Sequence, residues 1–385
     1  MKKLLLKKGI IYPVSTKPFI GDILIEDGKI AEISEQIEKK SVDTIDITGK
    51  FVFPGFIDPH SHIGLFEEGV GNYYQDGNEA TDPVTPHVRA IDAYYPDDIA
   101  ITRALAGGVT TVMIVPGSAN PIGGQSAIIK LNSQITDDSI IREPAGLKMA
   151  LGENPKRVYG TLNKSPSTRL GNAAIIRDYF IQVKNYIKKK ELSKEEGKDF
   201  TEFNIKYEIG EKVLKKEVTA RIHAHRKDDI LTAIRLSEEF GFDLVIEHAT
   251  EAYKIPDYIK AKDIPVILGP LLGFRTKLET RNMSYHSISI INEKGILAAL
   301  TCDHSVIPLE HASIQAATAL RYGAKEEDLI RMLTINPAKI LEIEERVGSL
   351  DVGKDADLVI WSGHPFDFRS YVVKTIINGE IVYER

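Results

Sequence analysis

Two histidines at the end of an apolar run are the strongest chemical signal in the chain. Residues 55–62 read GFIDPHSH, so His60 and His62 are separated by one residue. Side chains at positions i and i+2 of an extended chain point to the same face, and both imidazoles can therefore bind one cation. A His-x-His pair is also found as two ordinary polar residues of a loop. The pair alone leaves both interpretations open.

Three further residues of the metal-ligating types follow apolar, strand-like runs. His223 ends the run 219–223, His248 ends the run 244–248, and Asp303 follows the run 297–302. Active sites of parallel barrels lie at the carboxyl ends of the strands. One such residue is commonly a hydrogen-bonded loop residue, but the recurrence at successive strand ends favours a shared site. The pattern predicts a centre with four imidazole nitrogens and one carboxylate.

The elements that must position these residues alternate along the middle of the chain. Helical patterns separate the strand-like runs: Asp97 or Asp98 can cap a helix over 99–106, and Ile176 and Phe180 lie on one face of another. Such alternation predicts βα units and a parallel sheet. We therefore expect a (β/α)8 TIM-type barrel over residues 55–346, with strands at 55–59, 109–115, 127–131, 147–151, 219–223, 244–248, 266–269 and 297–302.

Both ends of the chain have a different pattern. Residues 1–54 contain short β-rich runs separated by turns such as Asp27-Gly28, and residues 347–385 include the hairpin dipeptide Asn378-Gly379. The two ends are expected to form one small β-domain, a β-sandwich, beside the barrel.

Composition limits the class of protein. The 385 residues are 43% apolar and 27% charged, with a net charge of −6, which fits a globular protein and argues against nucleic acid as a partner. The single cysteine, Cys302, excludes a Cys-rich metal site and fits a reducing compartment. No apolar stretch approaches the ~20 residues that cross a bilayer. We expect a cytoplasmic protein that does not bind membranes.

Two segments carry a family resemblance across nearly the whole chain. PGFIDPHSH at 54–62 and VGSLDVGKDADLVI at 347–360 resemble the opening and closing motifs of the amidohydrolase superfamily, and the pattern is most similar to imidazolonepropionase-related proteins. The resemblance implies a divalent metal centre, with zinc expected as one or two ions, held by His60, His62, His223, His248 and Asp303. It also implies that Asp303 accepts the proton of the attacking water.

A ligand that bridges two ions comes from a carboxylated Lys in some relatives and from a Glu in others. Residues 146–155, GLKMALGENP, offer both Lys148, which alternates into the barrel, and Glu153, just past the strand. The spacing from Glu153 to His223, His248 and Asp303 looks more like that of the Glu-using deacetylases. We therefore expect Glu153 to be the ligand, while ordinary structural roles for both residues stay open.

Substrate contacts are expected from residues at the same strand ends. His225, two residues after His223, is a candidate for catalysis and substrate binding, and Arg226, Arg275 and His304 are candidates for substrate binding; a satisfied loop residue is the alternative for each. The long connection between His62 and Asp97, which contains Tyr73 and Tyr74, is expected to be a lid or a subunit contact.

These features predict an enzyme that hydrolyses a carbon–nitrogen bond, other than a peptide bond, in a small amide, cyclic amide or amino-acid derivative. A small-molecule substrate is expected, and a homo-oligomer is compatible with the sequence. The alternatives are a deaminase of a heterocyclic amine and a catalytically silent assembly relative, which would be expected to have lost ligands.

Overall fold

The computed structural model describes residues 3–71 and 75–385. In chain order the strands are β1 (Lys3–Ile11), β2 (Phe19–Glu26), β3 (Lys29–Ser34), β4 (Asp43–Asp46), β5 (Phe51–Pro54), β6 (Phe56–Ser61), β7 (Val109–Ile114), β8 (Ile122–Lys130), β9 (Ile140–Ala150), β10 (Ala220–Ala224), β11 (Leu244–His248), β12 (Val266–Leu268), β13 (Ala298–Leu300), β14 (Leu358–Trp361), β15 (Val372–Ile377) and β16 (Glu380–Glu384).

Strands β6 to β13 form the barrel. They are hydrogen-bonded in sequence order as an eight-stranded sheet, and the ends of this sheet meet where His62 N–H donates to the carbonyl of His304 at 2.9 Å. Apolar side chains such as Leu147 and Ile222 are fully buried in its main core cluster. The α/β barrel expected from the alternating pattern is confirmed.

Strand β8 departs from the regular βα repeat. It runs antiparallel to both β7 and β9, and short connections rather than long crossover helices join the three strands. Antiparallel neighbours need no crossover helix, whereas parallel neighbours do. The strand expected at 127–131 therefore begins earlier, at Ile122, and points the opposite way to the other barrel strands.

Helices cover the rest of the barrel. Asp98 caps the first of them by accepting the N–H of Ala100 at 3.0 Å, as expected, and the long fourth helix buries Ile176, Phe180 and Val183. The helices are α1 (Ile99–Ala106), α2 (Thr136–Ser139), α3 (Glu153–Thr161), α4 (Arg169–Glu195), α5 (Ile205–Leu214), α6 (Lys227–Phe240), α7 (Pro256–Ala261), α8 (Ser287–Glu293), α9 (Ala312–Leu320), α10 (Glu326–Leu333) and α11 (Ile335–Ile340). No helix of the described residues is long and apolar enough to cross a membrane.

Strands from both ends of the chain form a second, separate sheet. Its order is β16-β15-β14-β5-β1-β2-β3, and β4 pairs with β1 beside β5, so all eight strands are joined in one hydrogen-bonded sheet. Alternate residues of β1 and β2, including Leu6, Ile23 and Ile25, are buried in a core of their own. The two ends meet directly, because β5 pairs antiparallel with β14.

A buried lysine links the barrel to the terminal sheet. Lys130, the last residue of β8, is 3% exposed. Its Nζ lies 2.8 Å from a carboxylate oxygen of both Asp355 and Asp357 and 2.6 Å from Oδ1 of Asn378. Because β8 runs antiparallel, it carries this ammonium to the end of the barrel opposite the carboxyl ends of the parallel strands.

The long connection before α1 packs against the barrel through several contacts. The N–H of Thr85 donates to the carbonyl of Ile122, and Asn78 accepts the N–H of Ala119. Tyr73 and Tyr74, on which the lid prediction partly rests, lie outside the described residues. The lid stays a prediction.

Candidate metal centre

The His-x-His pair lies at the end of β6 and faces Asp303. Nε2 of His60 lies 3.4 Å from Oδ1 of Asp303, and Nε2 of His62 lies 3.3 Å from the same oxygen. Both imidazoles are buried. These three donor atoms, predicted from strand ends 240 residues apart, form one cluster whose atoms all lie within 4.8 Å of one another.

Contacts on the far side of each ring fix which nitrogen faces the cluster. Nδ1 of His60 lies 2.8 Å from Oε2 of Glu247, and Nδ1 of His62 lies 2.7 Å from the carbonyl oxygen of Val115. Carboxylate and carbonyl oxygens only accept hydrogen bonds, so each Nδ1 carries the proton that it donates. In the neutral form of each ring, Nε2 then presents a lone pair to the centre, as metal-binding histidines do.

A second cluster of donors lies beside the first. It consists of His223, His225 and His248, whose rings are centred 4.5 to 4.8 Å apart. Nδ1 of His248 donates to the carbonyl of Gly269 at 2.9 Å and leaves its Nε2 free to bind. Burial lowers the pKa of all three imidazoles well below the usual value. Neutral imidazole is the form that binds metal.

The chain turns sharply at two residues of the donor clusters. His248 has a φ of 66° and Asp303 a φ of 52°, both in the left-handed region, which ends the extended strand at these residues. Thr301 holds the second turn: its hydroxyl accepts the N–H of Asp303 at 2.8 Å and donates to the carbonyl of His60 at 2.7 Å. These bonds fix Asp303 against the end of β6.

Lys148 projects from β9 into the centre. It is 1% exposed, and its Nζ lies 3.4 Å from Nε2 of His60. Burial lowers the pKa of its ammonium to about 8. The side chain therefore holds an amine that loses its proton readily at the place where the two histidine clusters meet.

Glu153 lies just past β9, as the sequence predicted. It is the first residue of α3, and its backbone N–H donates to Oε2 of Glu279 at 2.8 Å. Its carboxylate belongs to neither donor cluster found among the described residues. The assignment of Glu153 as a ligand stays a prediction, and the structure brings Lys148 to the histidines instead.

The expected substrate residues fall into two groups. His225 lies in the second histidine cluster, with Nδ1 2.7 Å from the hydroxyl of Thr250, and His304 is buried beside Asp303. Neither ring nitrogen of His304 has a hydrogen-bond partner in the described part of the chain.

The two arginines make hydrogen bonds to nearby residues of the chain, and their expected role in substrate binding stays a prediction. Arg226 makes paired hydrogen bonds of 2.9 and 2.8 Å to Asp228, and Arg275 is exposed and donates to the carbonyl of Met283 at 2.8 Å. Bidentate pairing with Asp228 satisfies the guanidinium of Arg226. In the described part of the chain these hydrogen bonds do not join either guanidinium to a residue of the two histidine clusters.

Three buried charged residues behind the centre were missed from the sequence. Nε of Arg221 lies 2.5 Å from Oε1 of Glu247, and Asp58 accepts the N–H groups of His60 and Cys302 at 3.0 and 2.8 Å. Burial would raise the pKa of Glu247, but Arg221 and His60 outweigh it and hold that pKa well below the usual value. For Asp58 burial prevails and raises the pKa to about 6. The only available signal was their place within one or two residues of a predicted ligand.

Comparisons with known proteins show the family of the chain. The sequence profile of the Amidohydrolase family matches residues 51–382. A crystal structure of an amidohydrolase from Thermotoga maritima MSB8 is 62% identical, with a TM-score of 0.98, over 99% of this chain and 100% of that one.

Two curated relatives are more distant. An imidazolonepropionase from Thermoplasma acidophilum is 26% identical over 94% of this chain and 89% of its own length. The amidohydrolase tasK of Hapsidospora irregularis is 27% identical over 95% of this chain, which spans 40% of the length of that protein. The profile match covers most of the residues, including every residue of the two donor clusters, and the chain belongs to the amidohydrolase family.

Proposed function

We propose that this protein hydrolyses a carbon–nitrogen bond of a small amide, cyclic amide or amino-acid derivative with the help of a divalent metal centre. The observation that carries the proposal is the convergence of His60 and His62 on Asp303, with the ring of His248 centred 4.7 Å from that of His60 and the Nδ1 atom of each of the three rings held by an acceptor. In each of the three imidazoles Nδ1 donates its proton to a different acceptor, which leaves Nε2 without one. Such an arrangement would have little purpose in a purely structural cluster.

The donor set fits zinc, one ion or two. Imidazole nitrogen and carboxylate oxygen are the ligands that Zn²⁺ takes in hydrolytic enzymes, and a buried group of neutral imidazoles with an anionic carboxylate suits a dication. A divalent ion held there would lower the pKa of a water molecule and polarise the substrate carbonyl.

Asp303 is proposed as the group that moves the proton. Its Oδ1 lies between two ligand histidines, its backbone is fixed by Thr301, and its side chain is 15% exposed, so that it adjoins the space where substrate would lie. Asp303 accepts the proton of the attacking water and delivers it to the leaving nitrogen. This transfer completes hydrolysis without a nucleophilic side chain.

Lys148 is proposed as the residue that joins the two clusters. Its amine attacks carbon dioxide to form an N–C bond and releases one proton, which converts the side chain into an anionic carboxylate. Its position beside His60, and the absence of Glu153 from both described clusters, favour Lys148 over Glu153. A carboxylated lysine would also replace a buried cation with an anion, which a dication stabilises.

His304 is the proposed substrate contact, because its buried ring has two nitrogens without a partner in the described residues and adjoins Asp303. A hydrogen-bonding group of the substrate would satisfy one of them. The two arginines are bound elsewhere and are left out of this role.

The test combines metal analysis with product analysis. The purified protein is assayed for bound zinc and for hydrolysis of a panel of amides, cyclic amides and N-acyl amino acids, with ammonia measured separately. His248→Ala should lose metal and activity, whereas His286→Ala, which changes an exposed histidine, should lose neither. Full metal content and activity in His248→Ala would overturn the proposal, and ammonia release from heterocyclic amines alone would indicate a deaminase.

A further inference from the structure

Glu279 is a buried acid at the edge of the second histidine cluster. It lies in a short 3-10 turn, Leu278–Thr280, in the long connection that follows β12, and it is 1% exposed. Nothing in its local sequence pattern marks it as a site residue. Its two carboxylate oxygens have different surroundings.

One oxygen, Oε2, is held by the protein. It accepts the N–H of Glu153 at 2.8 Å and lies 3.6 Å from Nη2 of Arg169. Gly152, with a φ of 82°, makes room for it, because a Cβ at that position would come within 2.6 Å of the oxygen. These contacts fix the direction in which the carboxylate points.

The other oxygen, Oε1, points at the histidines and has no hydrogen-bond partner in the described residues. It lies 3.8 Å from Nε2 of His223 and 3.9 Å from Nε2 of His225. His223 likewise has no partner on either ring nitrogen there, and Thr250 occupies Nδ1 of His225. Buried polar atoms that lack partners therefore converge on one point.

The separations are too long for hydrogen bonds and suit an ion between the atoms. Hydrogen bonds from imidazole to a carboxylate are about 2.7–3.2 Å long. Metal–nitrogen and metal–oxygen bonds are about 2.0–2.2 Å long, so two ligands of one ion commonly lie between about 3 and 4 Å apart. An anionic oxygen buried without a partner is costly, and a cation shared with neutral imidazoles would offset that cost.

We propose that Glu279 is a metal ligand, which with His223 and His225 holds the ion of the second cluster. The inference rests on the proposed function, since it adds a ligand to the same centre. It gives that ion a carboxylate of its own, independent of Asp303 and Lys148. Glu279 also couples the ion to the start of α3 and to Arg169 through its second oxygen.

The test measures metal binding to the full-length protein directly. The protein is stripped by chelation and titrated with Zn²⁺ and Co²⁺, and bound ions are counted by mass spectrometry while the absorption of Co²⁺ reports its ligands. We expect two ions in the wild type and one in Glu279→Ala. Glu279→Gln should keep the bond to the N–H of Glu153 but weaken the second ion by at least about 10-fold.

Asp229 provides a matched control. It is a buried carboxylate that also lies beside Gly152, bonded to Nε of Arg169 at 3.0 Å, and it is in neither donor cluster of the described residues. Asp229→Asn should bind two ions with a Co²⁺ spectrum like that of the wild type. Circular dichroism of each variant establishes that it is folded before the ions are counted.

The outcomes separate this inference from the proposed function. Two ions with unchanged affinity and spectrum in folded Glu279→Gln would overturn the role of Glu279 and leave the proposed function intact. Normal metal binding with a raised KM only for substrates that carry an amino group would also overturn it, and would assign Glu279 to a substrate ammonium. A wild-type protein that binds no ion would refute the proposed function itself.

Discussion

Nδ1 of His60 lies 2.8 Å from Oε2 of Glu247, and both side chains are fully buried. Arg221 approaches the other oxygen of the same carboxylate and also donates to the carbonyl of Pro59 at 2.9 Å. The imidazole is thus held through a carboxylate that is itself held by a guanidinium. The orientation of His60 therefore depends on charged residues behind the donor cluster.

Replacing Glu247 should weaken metal binding although Glu247 is not a ligand. In Glu247→Ala the ring of His60 loses its acceptor and Arg221 is left as a buried, uncompensated cation. Loss of such a partner typically lowers metal affinity about 10- to 100-fold. Competition with a chelator measures the change. Glu247→Gln, which still offers an acceptor, should lose less, and equal affinity in all three proteins would contradict the coupling.

Asp303→Asn tests the proton-transfer role. The amide keeps the shape of the side chain but cannot accept a proton at neutral pH. General-base catalysis contributes about 10²- to 10⁴-fold, so kcat should fall by at least about 100-fold while part of the metal stays bound. Steady-state kinetics on protein of measured metal content checks this. Undiminished turnover would move the role to another residue.

Lys148 and Glu153 are the two candidates for the ligand that joins the clusters. Variants of the two residues have opposite expected results. Lys148→Ala should lose bound metal and activity, because no carboxylate can then form at that position. Added acetate or propionate should restore part of the activity by filling the vacated space, and mass spectrometry of the native protein should show the added CO₂. Glu153→Gln is the control and should bind metal normally; metal loss in that variant alone would reinstate Glu153.

The paired acids around Lys130 should respond to pH in opposite ways. Burial alone would raise the pKa of Asp355, but Lys130 and Lys29 outweigh it and lower that pKa to about 2. Because the unfolded value is higher, near 3.9, Asp355 contributes stability above about pH 4 that is lost as the pH falls through about 2. Burial raises the pKa of Asp357, so its contribution is greatest at low pH and declines as the pH rises.

Urea unfolding at pH 6 and pH 3 distinguishes the two acids. The stability advantage of the wild type over Asp355→Asn should shrink by about 1 kcal/mol at pH 3. The stability advantage of the wild type over Asp357→Asn should not shrink at pH 3, because protonation of Asp357 relieves the cost of burying its charge. Parallel pH profiles for both variants would contradict the assignment of opposite shifts.

Most of the centre was predictable because strand ends are local features. His60, His223, His248 and Asp303 each end or follow an apolar run, and the rule that such ends converge in a barrel predicted one shared group of donors, which the structure divides into two neighbouring clusters. The rule can be applied without predicting the conformation of the loops. It succeeds for residues whose backbone belongs to the sheet.

Glu247 was not predicted as a site residue because side chains stop alternating between the two faces at the end of its strand. An extended chain would point Glu247 and His248 to opposite sides, which argues for a site role for only one of them. The left-handed conformation of His248 breaks the alternation, and Glu247 reaches His60 while His248 also reaches the centre. A positive φ at a residue other than glycine is not visible in the sequence.

The direction of strand β8 and the burial of Glu279 could not be predicted from the local sequence pattern, for other reasons. The apolar run of β8 indicates a strand but not its direction, which depends on the short connections at its two ends. Glu279 lies in a long connection without periodicity, and its burial follows from contacts with Glu153 and Arg169, far away in sequence. Only tertiary packing identifies it.

The pairing of β5 with β14 delays completion of the fold during protein synthesis. Residues 51–54 leave the ribosome about 300 residues before residues 358–361, a gap of about 15 to 60 s at ordinary translation rates. Throughout that interval β5 exposes one hydrogen-bonding edge, beside Val52 and Phe53, that a strand of another nascent chain can occupy. The buried Lys130 is also made before its partners, because Asp355 follows it by 225 residues. Chaperones that cover the amino-terminal strands should therefore raise the yield of folded protein more than those that act on the finished chain.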